Sequence, residues 1–289
     1  YVLAYGALCK TLAGALSNFN HAKVIYGAEA TAIRPAHNLT TVTFNQAGNE
    51  QTLQHPLVVL ADGGRSLGDI PGLNRETKEY GHDALVTKVQ CELAHDNIAY
   101  ERFTPAGPMA LLPNGERDFS LVWTGKHEEV QELLGLKDDV FLASLHTHFG
   151  DRVGRFLGVD KRLSFPLKLS YLNSVTAPHL VVIGNAAQTM HPVAGQGFNV
   201  GLRDAWELAD IIAATTPSAW GSEAMLKNYQ RSRKVDTRHG LLFTDFLVNI
   251  FSNDIVGLSK LRGAGLGLLD IVQPAKKRLV SKMSFGAQG

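Results

Sequence analysis

Cysteine is scarce in this chain. Cys9 and Cys91 are the whole complement of 289 residues, and they lack the CxxC spacing of a paired motif. That excludes a disulfide scaffold and favours a reducing, cytoplasmic setting. Metal-ligand clusters are missing too: His146 and His148 stand two apart without a neighbouring cysteine or helical glutamate, so they read as surface or capping histidines and no metal is expected. With a formal net charge of +1, nothing biases the chain toward nucleic acid. The local basic clusters, Arg231, Arg233, Lys234 and Lys276, Lys277, Arg278, read as solvated helix faces. The first sixteen residues are mildly apolar but interrupted by Lys10, too broken to span a bilayer, and nothing there resembles a signal peptide. What remains is a 45% hydrophobic chain, able to bury the core of one large or two modest globular domains.

The densest stretch is residues 180–210, LVVIGNAAQTMHPVAGQGFNVGLRDAWELAD. Its first four residues are apolar and β-branched and stop at Gly184, as in a strand of a parallel sheet covered on both faces. His191-Pro192 forces extended backbone, Gly195 and Gly197 permit close approach, and Asn199 is a candidate N-cap for the helix that follows. In that helix Ala205, Leu208, Ala209 and Ile212 recur at helical spacing, with Arg203 and Glu207 on the polar side. A glycine-lined loop ahead of a helix N-terminus presents bare N–H groups and a partial positive charge to an electron-rich ligand. The alternative is a tight strand-to-helix connection that merely packs.

Elsewhere the pattern alternates between helix and short strand. Leu8, Leu12, Ala15 and Leu16 predict a helix; residues 24–33, 39–44 and 51–61 predict strands of a meander with its turn over 45–49. After Pro71-Gly72, residues 84–93, 98–103, 109–112 and 119–124 predict a half-covered antiparallel sheet, in which Phe119, Leu121 and Trp123 alternate with Ser120, Val122 and Thr124. Short helices are expected over 127–134 and 140–149, then a strand over 162–171. A long helical pattern runs through 223–251, and the tail from 255 to 283 combines leucines with a basic end, a candidate peripheral lipid contact.

The run GNAAQTMHPVAGQGFNVGLRDA resembles the second flavin-contacting motif of the aromatic-ring flavoprotein monooxygenases, in the form seen in the ubiquinone-biosynthesis hydroxylases. Upstream, Asp62-Gly63-Gly64-Arg65-Ser66 after a strand resembles that family's Asp-Gly motif. Residues 100–104, Gly107-Pro108, Leu111-Leu112-Pro113 and 120–123 are most similar to the 2-polyprenyl-6-methoxyphenol hydroxylase branch. The resemblance implies an α/β (α+β) fold: an incomplete Rossmann-like FAD-binding domain, residues 1–80 and 177–289 with C-terminal helices, interleaved with an antiparallel-sheet substrate domain, 81–176. It implies FAD as cofactor, NAD(P)H and O₂ as co-substrates and a polyprenylated phenol as substrate, with quinone-pathway assembly partners and a peripheral contact with the inner membrane.

By the same resemblance, backbone N–H groups over Gly195, Gln196, Gly197, Phe198 and Asn199 face the flavin's pyrimidine edge, and Pro192 shapes the wall beside the ring. Gly184 and Asn185 stand where the wider family carries Gly-Asp, and Gln188 where it carries histidine. Asn185 can still accept a hydrogen bond, though without charge assistance. Asp62 and Gly63 reach the nucleotide's polar groups and Arg65 its phosphates; the plainer reading is an ordinary turn. Phe103, Leu112 and Trp123 are candidate substrate-lining residues, with plain core as the alternative.

Two other functions fit parts of the sequence. Gly64-Arg65-Ser66-Leu67-Gly68 matches the G-x-S-x-G elbow of serine hydrolases, with Ser66 as nucleophile and His191 or His239 as base; Asp69, Pro71 and Gly72 argue against the helix an elbow requires. A non-catalytic assembly module of the quinone pathway is the other. The family's opening βαβ unit with G-x-G-x-x-G is missing: Gly263, Gly265 and Gly267 follow no strand, and Gly195, Gly197 and Gly201 are too widely spaced. The chain begins at Tyr1, and a fragment lacking about one N-terminal domain's worth of residues is expected. This polypeptide alone is therefore expected to bind FAD weakly. Purification should give a colourless protein, and a yellow one with stoichiometric flavin would overturn that expectation.

Overall fold

The computed structural model describes residues 3, 5–68, 70–104, 107–189, 196–234, 272–274, 276–278 and 281. They form α1 (Tyr5–Leu16), β1 (Ala28–Pro35), β2 (Thr40–Gln46), β3 (Asn49–His55), β4 (Val58–Leu60), β5 (Arg75–Cys91), β6 (Tyr100–Thr104), β7 (Gly107–Pro113) and β8 (Asp118–Lys126). Then come α2 (His127–Gly135), α3 (Asp138–Phe149), β9 (Phe156–Val159), β10 (Leu163–Leu172), β11 (Thr176–Ala177), β12 (Leu180–Val182), β13 (Gln188–Thr189), α4 (Gln196–Ala214) and α5, residues 223–234. The chain divides into two compact units. One takes residues 26–80 and most of the chain from 168 onward, the other 81–167 with the stretch up to 25.

In the first unit β1, β2 and β3 form the expected antiparallel meander. Gln46 pairs with Asn49, leaving a two-residue turn whose Ala47 and Gly48 have φ of 52° and 82°. Both being positive is the hairpin turn that matches strand twist, and Asn45 Oδ1 accepts the Gly48 N–H at 2.9 Å. The single strand expected over 51–61 is two. Pro56 cannot donate to a ladder, so β3 ends before it, and β4 enters a second sheet of order β11-β12-β4. There β12 runs parallel to β4 and antiparallel to β11. All three β12 residues are buried, and alternation sends them to two cores. Leu180 and Val182 join Leu60, Leu67, Ile70, Leu73 and Leu172, while Val181 joins Leu208, Ile211, Leu226 and Tyr229 from α4 and α5. A strand covered on both faces has no polar side, which is why this run is continuously apolar.

Helix α4 turns differently from the expected face. Val200, Asp204, Leu208 and Ile211 point inward, whereas Ala205 and Ala209 are exposed. Spacing of four and three fits either stripe, and the larger side chains win the core. The long helical pattern expected through 251 is described only to residue 234, and most of the proposed lipid-facing tail lies outside the described residues.

In the second unit, β5 pairs β8, β8 pairs β7 and β7 pairs β6, all antiparallel, with β9 beside the end of β5. One sheet face carries Leu85, Val89, Met109, Leu111, Phe119, Leu121 and Trp123, covered by Val130 of α2 and Phe141, Leu145 and Phe149 of α3. Arg162 closes the two helices together: Nη2 donates to Leu136 O at 2.7 Å and pairs with Asp138 Oδ1 at 2.9 Å, with the guanidinium 4.8 Å from the Phe141 ring centre. His146 and His148 occupy the last turn of α3, where the expected surface and capping role suits the helix dipole, and His146 pairs with Asp151. Cys91 is buried and Cys9 exposed, and both are free.

Leu121 is fully buried in this face, so Leu121→Ala should cost about 2–5 kcal/mol in urea unfolding. Leu157, 52% exposed, gives the control: Leu157→Ala should stay within about 0.5 kcal/mol.

Candidate active site

The parallel pairing of β4 with β12 aligns Val58 with Leu180 and Leu60 with Val182. Both strands therefore end on the same side, and Ile183 N–H donates to Leu60 O at 3.0 Å to close the ladder. Two motifs far apart in sequence, Asp62–Ser66 and Gly184–Gln188, emerge there as neighbours. The carboxyl ends of adjacent parallel strands are where open α/β sheets place ligands.

The first motif is a self-capped loop. Asp62 Oδ1 accepts the Gly64 N–H at 2.8 Å and Oδ2 the Ser66 N–H at 2.7 Å. Burial pushes the Asp62 carboxyl up, but the Ser66 hydroxyl and the backbone donors outweigh it and hold the group below its ordinary value. Gly63 and Gly64 have φ of 75° and 90°. A Cβ on Gly64 would be strained at this φ and would also crowd Arg75 Nη2, which favours glycine. Arg65 is exposed, with Nε 3.3 Å from Asp62 O. Beyond Ser66 the chain continues in tight turns, Ile70 N–H to Leu67 O and Leu73 N–H to Ile70 O, and not in a helix. Ser66 is therefore not at a nucleophile elbow, and its proposed bases His191 and His239 lie outside the described residues.

The second motif leaves β12 as a 3-10 turn, Gly184–Ala186, and then forms the short strand β13, an element the sequence did not suggest. Its backbone groups are largely committed inward. Gly184 O accepts from Ala187 N–H, Ala186 O from Arg75 Nη2 at 2.7 Å, and Ala187 O from Leu172 N–H. Gly184 N–H donates to Asp204 Oδ2 at 2.9 Å, so that amide is already occupied. The side chain left facing outward is Asn185, which is exposed.

Behind the turn sits a polar cluster that the sequence reading missed. Asp204 is 2% exposed; its Oδ2 also accepts from Gln188 Nε2 at 2.6 Å, and its Oδ1 from Arg233 Nε at 2.8 Å. Arg233, read as solvated with Arg231 and Lys234, is 6% exposed: its neighbours stay outside, and it faces in to neutralise Asp204. Burial pushes the Asp204 carboxyl above its ordinary value, and Arg233, Gly184 and Gln188 offset only part of that rise. An acidic residue on the inward face of an amphipathic helix was the available signal.

Helix α4 starts at Gln196, so Asn199 is its fourth residue and not its N-cap. Among the described residues nothing lies within 4 Å of where a Gly197 Cβ would stand, Phe198 is exposed, and no acidic side chain occupies the first turn. The first-turn N–H groups thus give this 19-residue helix a positive pole with no acidic side chain of its own beside it. Pro192 and Gly195 lie outside the described residues.

The proposed substrate residues do not share one surface. Trp123, 5% exposed, faces the helix-covered core, 6.0 Å from the Phe141 ring and 5.0 Å from His148. Leu112 pairs with Ser120 on the opposite, half-buried face with Ala110 and Val122, and the backbone of Phe103 pairs with Pro108, its side chain lying outside the described ones. The period of two that marks Leu112 and Trp123 as apolar strand residues sends them to different faces.

The family model described as FAD binding domain matches residues 5–239. Ubiquinone hydroxylase UbiL of Rhodospirillum rubrum is 36% identical over 289 residues, 99% of this chain and 66% of that protein. An uncharacterized protein of Synechocystis is 36% identical over 89% of this chain and 63% of its own length. The 3-demethoxyubiquinol 3-hydroxylase of Escherichia coli is 32% identical over 75% of this chain and 56% of that protein. The chain thus spans between 56% and 66% of the length of these relatives. Among solved structures, p-nitrophenol 4-monooxygenase PnpA from Pseudomonas putida superposes with a TM-score of 0.80 at 14% identity, covering 98% of this chain and 73% of that one. OxyS anhydrotetracycline hydroxylase from Streptomyces rimosus gives 0.65 at 19% identity, covering 91% and 53%. These structural likenesses show a shared fold.

A carboxyl held below its ordinary value contributes stability above the unfolded value near 3.9, and loses that contribution as pH falls through its folded value. Asp62→Asn should therefore flatten the acid limb of the stability curve below the ordinary aspartate range, measured as urea midpoints. Parallel limbs for the two proteins would show that Asp62 carries no such linkage.

Proposed function

Because the chain belongs to the FAD binding domain family, we propose that this protein is a flavin-dependent monooxygenase that hydroxylates a polyprenylated phenol in ubiquinone biosynthesis. The observation that carries the reading is the parallel alignment of β4 and β12, which sets the Asp62 loop beside the Gly184 turn at one sheet end. The names of two relatives, a ubiquinone hydroxylase and a 3-demethoxyubiquinol 3-hydroxylase, support the substrate class.

The residues present fit FAD. Asn185 is exposed above a turn whose other polar groups are largely satisfied, and the first turn of α4 offers amides without a competing carboxylate. Asn185 would hydrogen-bond a cofactor hydroxyl, and the Gly197, Phe198 and Asn199 amides would hold the electron-rich edge of the ring. Asp62 and Arg65 would meet the polar and phosphate groups of a nucleotide. When bound, FAD supplies the redox chemistry, taking electrons from NAD(P)H and activating O₂. The protein contributes oriented main-chain dipoles that stabilise negative charge, which accounts for a site built from amides and not from titratable side chains. For the substrate, the half-buried sheet face with Ala110, Leu112 and Val122 offers apolar surface suited to an uncharged ring. A polyprenyl tail would bring the enzyme to a membrane surface from the cytoplasmic side and beside partner enzymes of the pathway; no helix among the described residues is long and apolar enough to cross a membrane.

The test is isotopic. The intact gene product, given FAD, NAD(P)H, ¹⁸O₂ and a short-chain polyprenyl phenol, should consume NAD(P)H faster with the phenol present and yield a phenol carrying one labelled oxygen, the other leaving as water. Flavin binding without label in the product would point to a non-catalytic assembly module instead.

A further inference from the structure

Asp204 is deep enough, and satisfied enough, to need a reason for being charged. Replacing a buried ion pair by apolar side chains of similar size is often neutral or stabilising, so Asp204 and Arg233 are poorly explained as stability devices alone. A leucine at 204 would suit the inward stripe of Val200, Leu208 and Ile211. What leucine could not do is accept hydrogen bonds from the turn. The two carboxylate oxygens divide the work. Oδ2 takes Gly184 N–H and Gln188 Nε2, the two ends of the turn that carries Asn185, and Oδ1 takes Arg233 Nε from α5. From the other side Arg75 holds Ala186 O, with Nη1 on Ser170 Oγ at 2.8 Å. Gly201, one turn before Asp204, packs against the same turn, an added Cβ there standing in van der Waals contact with Gly184 Cα at 3.4 Å.

We propose that Asp204 is a positioning residue for flavin binding: its carboxylate clamps both ends of the Gly184–Gln188 turn to helix α4, so that Asn185 and the first-turn amides of that helix meet the cofactor in one fixed relation. Arg233 is the counter-ion that keeps the clamp charged. Gln188 is a donor that does not titrate, so its bond to the clamp persists across the neutral range. Asn185 sits on the turn and the amides on the helix, and two ligand-facing groups on separate elements gain affinity only if their spacing is settled beforehand.

The inference rests on the flavin reading above, and its test separates the two. In the intact gene product, Asp204→Asn should raise the FAD dissociation constant about tenfold or more, since a charge-assisted pair of bonds is lost. In the flavin-free protein the same substitution should speed exchange of the Gly184 amide while leaving the Val182 amide, bonded to Val175 O, unchanged. Gln188→Met removes one turn-side donor without touching the charge and should weaken FAD by a smaller factor; it decides the matter if Asp204→Asn does not fold. If the unaltered protein binds FAD and both variants bind it equally well, the clamp is not a positioning device. If the unaltered protein binds no FAD, the flavin reading falls. Gly184 exchange that is the same in Asp204→Asn and the unaltered protein would overturn the clamp itself.

Discussion

Three rungs of parallel pairing, Val58–Leu60 against Leu180–Val182, carry most of the functional consequence of this fold. Parallel strands end on the same side, and their following loops must begin side by side. Had β4 paired antiparallel to β12, the Asp62 loop and the Gly184 turn would leave at opposite ends and could not serve one ligand. The pairing is held by burial: Leu60, Leu180 and Val182 share one core, and Val181 anchors the other face against α4 and α5. Slipping the register by one residue would exchange those faces, so the alignment of the two loops is fixed by the same contacts that stabilise the sheet.

On that frame the site is assembled from backbone. The Asp62 carboxylate is spent on its own loop, the Gly184 amide on Asp204, and the Ala186 carbonyl on Arg75. Several side chains that look chemical in the sequence thus work as braces, and what faces outward among the described residues includes the Asn185 amide, the Arg65 guanidinium and a helix pole. This economy suits chemistry carried by a cofactor, where the protein's task is orientation and electrostatics and a titrating side chain would add an unwanted proton.

How far the sequence foretold this differs from element to element. The strand at 180–182, the alternation of Phe119, Leu121 and Trp123, the β1–β2 part of the meander and the paired helices after residue 126 follow from local periodicity and are present as expected. Pro56 was the overlooked signal in the strand expected over 51–61, since a proline splits a ladder. The inward face of α4 was missed because alanines and larger side chains repeat at compatible spacings, and only the facing core decides between them. Arg233 was misread because a basic residue between two exposed basic neighbours looks solvated until its partner is known; that partner lies in another helix, at no fixed sequence distance.

By itself the sequence determined the local grammar and the motif chemistry: where strands and helices run, which glycines open a loop, and that these loops resemble a flavin site. Those are properties of near neighbours along the chain. The tertiary structure alone decided that the Asp62 loop abuts Arg75, that Leu112 and Trp123 part to opposite sheet faces, and that Asp204 faces inward to Gly184, Gln188 and Arg233. Those pairings depend on which elements are packed together, and a buried charge finds its counter-ion through space, not through spacing.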